Sequence, residues 1–208
     1  MSADMVPLLT KALGETVYMV IVSMIVASAI GIPLGVLLFT TGKGQILECI
    51  PLNRAAAGIV NAIRSIPFTR FIVGTSIGTT AAMVPLVLAS IPFIGRQVET
   101  SLKEVPEGIV EAALSMGATP LQIIRRVLLP EAMPSIVAQL TTVIIALVGE
   151  SAMAGAIGGG GLGDLAIRYG YQRFRPDIMI ATVVILIVLV QIVQFLGNRL
   201  ADGLRKQG

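Results

Sequence analysis

Charged residues are absent from long stretches of this chain, and those stretches set its architecture. The first uncharged run extends from Val17 to Gly42, bounded by Glu15 and Lys43, and the second covers Phe71 to Gly95, between Arg70 and Arg96. The third runs from Ser135 to Gly163, broken only by Glu150, and the fourth is Ile178 to Asn198, closed by Arg199. A helix rising roughly 1.5 Å per residue needs about 20 apolar residues to cross a hydrocarbon layer ~30 Å thick. Each of the four runs is long enough. The Ala27-Ser28-Ala29 triplet in the first resembles a signal-peptide cleavage site. Asp4 and Glu15 cancel the positive charge such a leader needs, however, and the apolar run continues well past the triplet, so a retained span is the better reading.

A fifth stretch, Ala55 to Phe68, contains Arg64 and alone reaches only about 21 Å. Topology argues for counting it. With five spans, Lys43, Arg54, Arg96, Lys103, Arg125, Arg126, Arg199, Arg205 and Lys206 share one side, and only Lys11, Arg70, Arg168, Arg173 and Arg175 fall on the other. With four spans the two sides are nearly even. Because basic residues are retained on the cytoplasmic side, the pattern predicts five spans, the N-terminus outside and the C-terminus in the cytoplasm. Small residues at helical spacing mark close-packing faces at Gly31-x-x-x-Gly35, Gly74-x-x-x-Gly78 and Gly155-x-x-x-Gly159. Packing within the chain is the plainer use of each, and a contact with a second copy the sharper one.

Between Arg96 and Pro134 the sequence is polar but regular. Pro106 suits the first turn of a helix, Val105, Ile109, Ala112, Ala113 and Met116 are expected to form one apolar face, and Gly117 can end that helix in the left-handed conformation. Thr119 then reads as an N-cap, Pro120 as the first helical residue and Gln122 as the third, completing a capping box. In the second helix Ile124, Val127 and Leu128 lie to one side and Arg125 and Arg126 to another, and Pro130 is expected to end it. A cytoplasmic helix–turn–helix over residues 105–130 therefore joins two spans. It can lie on lipid headgroups or fit a groove on another protein.

Composition agrees with lipid as the solvent. The chain is 55% hydrophobic and 13% charged, with mean hydropathy +0.89, against about 25% charged in soluble domains. The pI near 9.4 raises nucleic acid as a partner, but the basic residues are scattered among apolar runs without aromatic stacking residues, so none is expected. With one cysteine, Cys49, and no histidine, an internal disulfide, a His/Cys metal site and His-based catalysis are excluded.

Glu111-Ala112-Ala113, three residues, Gly117, nine residues and Val127-Leu128-Leu129-Pro130 resemble the EAA signature of bacterial ABC importer permeases, with Val127 where that pattern usually has Ile. More widely the chain is similar to methionine-importer permeases. The similar stretches are Asn61 to Phe68, Phe71 to Gly78, Met116 to Pro120, Ser151-Ala152-Met153 and Gly159 to Gly163. The resemblance implies a single all-α integral membrane domain over residues 1–208, of about five transmembrane helices. Residues 105–130 would form a coupling segment in which Glu111, Ala112, Ala113, Gly117, Ala118, Thr119, Pro120 and Pro130 meet a cytoplasmic ATPase. It also implies a homodimer in the bacterial inner membrane, two ATPase subunits carrying ATP and magnesium, and an external binding protein that delivers methionine. After Ile66-Pro67-Phe68 the family has roughly ten further apolar residues, whereas here Thr69-Arg70 follows at once; this shortens the second span.

No site for ATP is visible in the chain itself. Gly42-Lys43-Gly44 does not fit the phosphate-wrapping loop, and Gly158 to Gly163, which spells G-x-G-x-x-G, follows a membrane span instead of a strand. Glu150 is a carboxylate inside an apolar run, a costly placement that marks a pathway, a partner or the membrane boundary. A break of the helix at Gly149 would put it at the boundary; the alternative places it, with Ser151, Met153 and Arg64, along the substrate path. Met153 can equally serve as packing, and Arg64 can snorkel or pair with Glu150. A rival class is a secondary transporter using Glu150 as a proton or ion site. Nearer rivals are a permease for another small solute and a purely structural subunit. No residue chemistry here selects methionine.

Overall fold

A computed structural model describes residues 5–41 and 78–205. The short candidate span Ala55 to Phe68, with Arg64, lies outside the described residues. Helix α1 (Met5–Thr40) is followed by α2 (Thr79–Lys103), a short α3 (Glu107–Ser115) and one turn of α4 (Pro120–Ile123). A π-helical turn, Ile124–Leu128, leads without interruption into α5 (Leu129–Ala154). A glycine turn, α6 (Gly161–Leu165) and a second π-helical segment then reach α7 (Pro176–Arg205). Among the described residues four helices are long and apolar enough to cross a membrane.

Helix boundaries differ from those the sequence suggests, and three of them show why. Helix α1 begins at Met5 and carries Lys11 and Glu15 inside it; charge limits residence in lipid but does not end a helix. Helix α2 continues past Arg96 because Arg96 and Lys103 pair with Glu99 at 2.8 and 2.7 Å, three and four residues along one face. Pro130 does not end its helix. Proline removes one N–H and crowds the carbonyl four residues back, and the wider π turn just before it takes up both effects. From Pro120 onward α4, the π turn and α5 are therefore one continuous rod, while α3 is set off from it by the turn at Gly117 and Thr119.

The helices close on each other at small residues. A Cβ on Gly31 would lie 2.8 Å from Ile94 Cβ, and one on Gly35 would lie 2.6 Å from Gly95 O, so this pair serves packing within the chain, α1 on α2. Gly155 and Gly159 flank a kink instead of forming a helix face; of the third pair, Gly78 is the N-cap of α2 at φ +114 and Gly74 lies outside the described residues. Ile94, Val98, Leu102, Leu128, Val143 and Leu147 fill the main core; Met5, Leu9, Ala12, Leu162, Leu165 and Ile178 form a second one. Helix α7 turns Val184, Ile187, Val188, Ile192 and Phe195 outward, the surface a lipid-facing span requires.

Candidate functional site

The two ends of α5 carry the candidate residues. At its start, α3 closes with a Schellman motif: Gly117 N–H donates to Leu114 O at 2.9 Å and Ala118 N–H to Ala113 O at 3.1 Å. Gly117 sits at φ +79, and a Cβ there would meet nothing within 4 Å, so backbone conformation alone demands the glycine. Thr119 follows in an extended conformation, and its N–H donates to Gln122 Oε1 at 2.9 Å in the expected capping box, with Pro120 next.

The inner face of this segment is Val105, Ala113, Ile123 and Leu128, all buried, with Val110 and Ala118 beside them. The expected apolar face divides: Ile109, Ala112 and Met116 point outward with Leu114 and Leu121, and Met116 is 82% exposed. Val105 precedes the helix and so cannot set its phase, which is why counting from it misplaces the face. The outward surface is apolar residues set among exposed Glu107, Glu111, Arg125 and Arg126. Where this segment meets α5, Ser135 Oγ donates to Glu104 Oε2 at 2.5 Å and lies 3.1 Å from Ser101 Oγ. Pro130 is exposed on the rod.

At the other end, α5 runs straight through Gly149 and bends only after Ala154, so the helix does not break at Glu150. Glu150 is exposed, as are Met153 at 74% and Ile157 at 83%. Ser151 parts from them: it is buried, and its hydroxyl donates to Val148 O at 2.7 Å. Arg64, its suggested companion, is outside the described residues. Beyond the bend, Gly163 approaches Ala152 so closely that a Cβ would overlap Ala152 O, and α6 folds back along α5. Glu15 of α1, which sequence reading uses as the edge of an apolar run and as a charge against a leader peptide, and its neighbour Thr16 hold this turn through Gly161 N–H and Leu162 N–H. Only their position immediately before an apolar run hinted at a role.

A cavity of about 320 Å³ opens between α5 and α7, lined by Ile145, Val148, Leu186, Val190 and Gln191 among others. An amino acid zwitterion has two full charges to satisfy, and a lining with one amide and no charge does not meet that need.

Residues 16–206 match the family described as "Binding-protein-dependent transport system inner membrane component". The "Probable D-methionine transport system permease protein MetI" of Vibrio cholerae is 57% identical over 203 residues, covering 93% of this chain and 90% of that protein. The "Methionine import system permease protein MetP" of Bacillus subtilis is 43% identical over 181 residues, covering 82% of each. A solved chain of the MetNI methionine ABC transporter in an inward facing conformation matches with a TM-score of 0.92 at 47% identity, covering 98% of this chain and 99% of that one. A continuous helical rod that begins in the signature-bearing segment and crosses the apolar core, together with these matches, places the chain: it belongs to the binding-protein-dependent transport system inner membrane component family.

Proposed function

We propose that this chain is the membrane-spanning subunit of an ATP-driven importer that moves methionine or a close analogue into the cytoplasm by alternating access. Two copies would pair in the inner membrane, each docking one ATPase subunit that holds ATP and magnesium, with a binding protein delivering solute from outside. The N-terminus and the glycine turn then lie outside, and α3, α4 and the C-terminus lie in the cytoplasm. Relatives named as methionine permeases, similar over most of both chains, support the solute class.

One observation carries the reading. The capped segment turns Ile109, Met116 and Leu121 outward, and its second half, from Pro120, is one rod with α5 through the π turn. A groove that takes these apolar residues, set among Glu107, Glu111, Arg125 and Arg126, can move α5: Leu121 is on the rod itself, and α3 is packed to it through Ala113, Ile123 and Leu128. The other end of the same rod carries Glu150, Met153 and Ile157, which would line or close the path between two copies. Ser151, turned inward, would hold the helix there instead of meeting solute.

The test is methionine uptake by proteoliposomes containing the chain, its ATPase and its binding protein, beside a Gly117→Arg variant. ATP-dependent uptake that the substitution abolishes supports both the transport and the docking assignment. Undiminished uptake in the variant sinks the docking role.

A further inference from the structure

At the end of the molecule opposite the docking segment, α6 packs Leu162 and Leu165 into the second core, and the glycine turn that leads into it is held by hydrogen bonds to backbone groups. After Ala154 the chain leaves helical geometry at Ile157 and Gly158 and takes positive φ at Gly158, Gly160 and Gly161. The glycines of this turn bring no side chains of their own to select one conformation, and glycine has the most freedom to lose. The first N–H groups of α6 also lack partners within their own helix. Two residues of α1 supply them. Gly161 N–H donates to Glu15 Oε2 at 2.8 Å and Leu162 N–H to Thr16 Oγ1 at 2.9 Å. The Thr16 hydroxyl donates onward to Ala12 O at 3.0 Å, which leaves its lone pairs for Leu162. From the other side Gly78 N–H, at the start of α2, donates to Gly158 O at 3.2 Å.

The fit is close. A Cβ on Gly161 would stand 2.6 Å from Thr16 Oγ1, and one on Gly160 would stand 3.0 Å from Glu15 Oε2. Thr16 is buried and Glu15 partly so. The side-chain oxygen of Glu15 gives the Gly161 N–H its acceptor, and an N–H left unmatched near the membrane boundary is costly. Neither docking nor the exposed Glu150–Met153–Ile157 surface uses Glu15, so these functions leave its contact with Gly161 unaccounted for.

We propose that Glu15 is a positioning residue for transport. With Thr16 it clasps the glycine turn and fixes the outer end of α5, with the Met153–Ile157 surface, in the arrangement that closes the outer side. The inference rests on the importer reading above. The chain matches a transporter chain in an inward facing conformation, the state in which alternating access requires the outer end to be shut. With the carboxylate acceptor gone, the turn occupies several conformations and the outer end of α5 no longer closes one way. ATP is then hydrolysed without solute being carried.

The experiment uses the full permease assembled with its ATPase and binding protein in proteoliposomes. It reads methionine taken up per ATP hydrolysed, and amide hydrogen exchange across residues 155–163 in the same complexes. Glu15→Ala should lower uptake per ATP about fivefold while leaving ATPase binding intact, and should speed exchange at Gly161 by about tenfold. Glu15→Gln, whose amide oxygen still accepts from Gly161, should recover most of both. Thr16→Val keeps the volume and should speed exchange at Leu162. Wild-type coupling and exchange in Glu15→Ala would overturn the proposal, as would damage in Glu15→Gln equal to that in Glu15→Ala. If Glu15→Ala does not assemble, Glu15→Gln and Thr16→Val decide on the same readouts. If the unmodified complex shows no ATP-driven uptake, the importer reading falls, and the exchange data still decide whether Glu15 holds the turn.

Discussion

Ser135 and Glu104 stand 2.5 Å apart, hydroxyl to carboxylate, although they belong to the start of α5 and the polar end of α2. The bond ties together the two ends of the segment proposed to dock, because α2 leads into it and α5 leads out of it. Ser135→Ala should therefore lower stability by about 1 kcal/mol and loosen the link between ATP hydrolysis and uptake. Thermal unfolding of the purified chain, with coupling measured in parallel, checks this; an unchanged melting temperature would deny the bond its role.

Gly117 tests conformation apart from space. With φ at +79 and open surroundings, Gly117→Ala should destabilise the turn by about 1 kcal/mol, and Gly117→Asn by less, since asparagine tolerates the left-handed region. Affinity for the ATPase should fall in the same order. Equal effects of the two substitutions would locate the requirement elsewhere.

Met116 is 82% exposed, so Met116→Asp should leave thermal stability unchanged. Capture of the ATPase by the permease should nevertheless weaken at least about tenfold, as truncating an interface anchor does. A stable variant that still captures its partner normally would remove this residue from the docking surface.

Two glycines of α1 should behave in opposite ways. At Gly35 a Cβ would come within 2.6 Å of Gly95 O and 2.7 Å of Val98 Cβ, whereas at Gly14 it would meet nothing within 4 Å. Gly35→Val should cost at least about 3 kcal/mol or abolish folding. Gly14→Ala should stabilise the helix by about 0.5–1 kcal/mol. Expression level and melting temperature separate the two.

The apolar runs made the membrane helices legible, because lipid requires long uncharged stretches wherever the chain crosses it. Gly117, Thr119, Pro120 and Gln122 were legible for a different reason: caps are local, and their partners lie within a few residues. Pro130 misled, since its effect on the helix depends on the π turn before it. Ser151 could not be placed from spacing alone, because the face it occupies is set by packing around a bend that begins after Ala154. The contact of Glu15 with Gly161 spans 146 residues, and no local pattern announces it. The span expected over Ala55 to Phe68, and the role of Arg64, fall outside the described residues.

The most direct measurement is methionine uptake into proteoliposomes holding the permease, its ATPase and the binding protein, with ATP supplied in one set and only a proton gradient in another. Uptake that needs ATP and the binding protein, and ignores the gradient, is the predicted result. Uptake driven by the gradient without ATP would contradict the importer account and return Glu150 to consideration as a proton site.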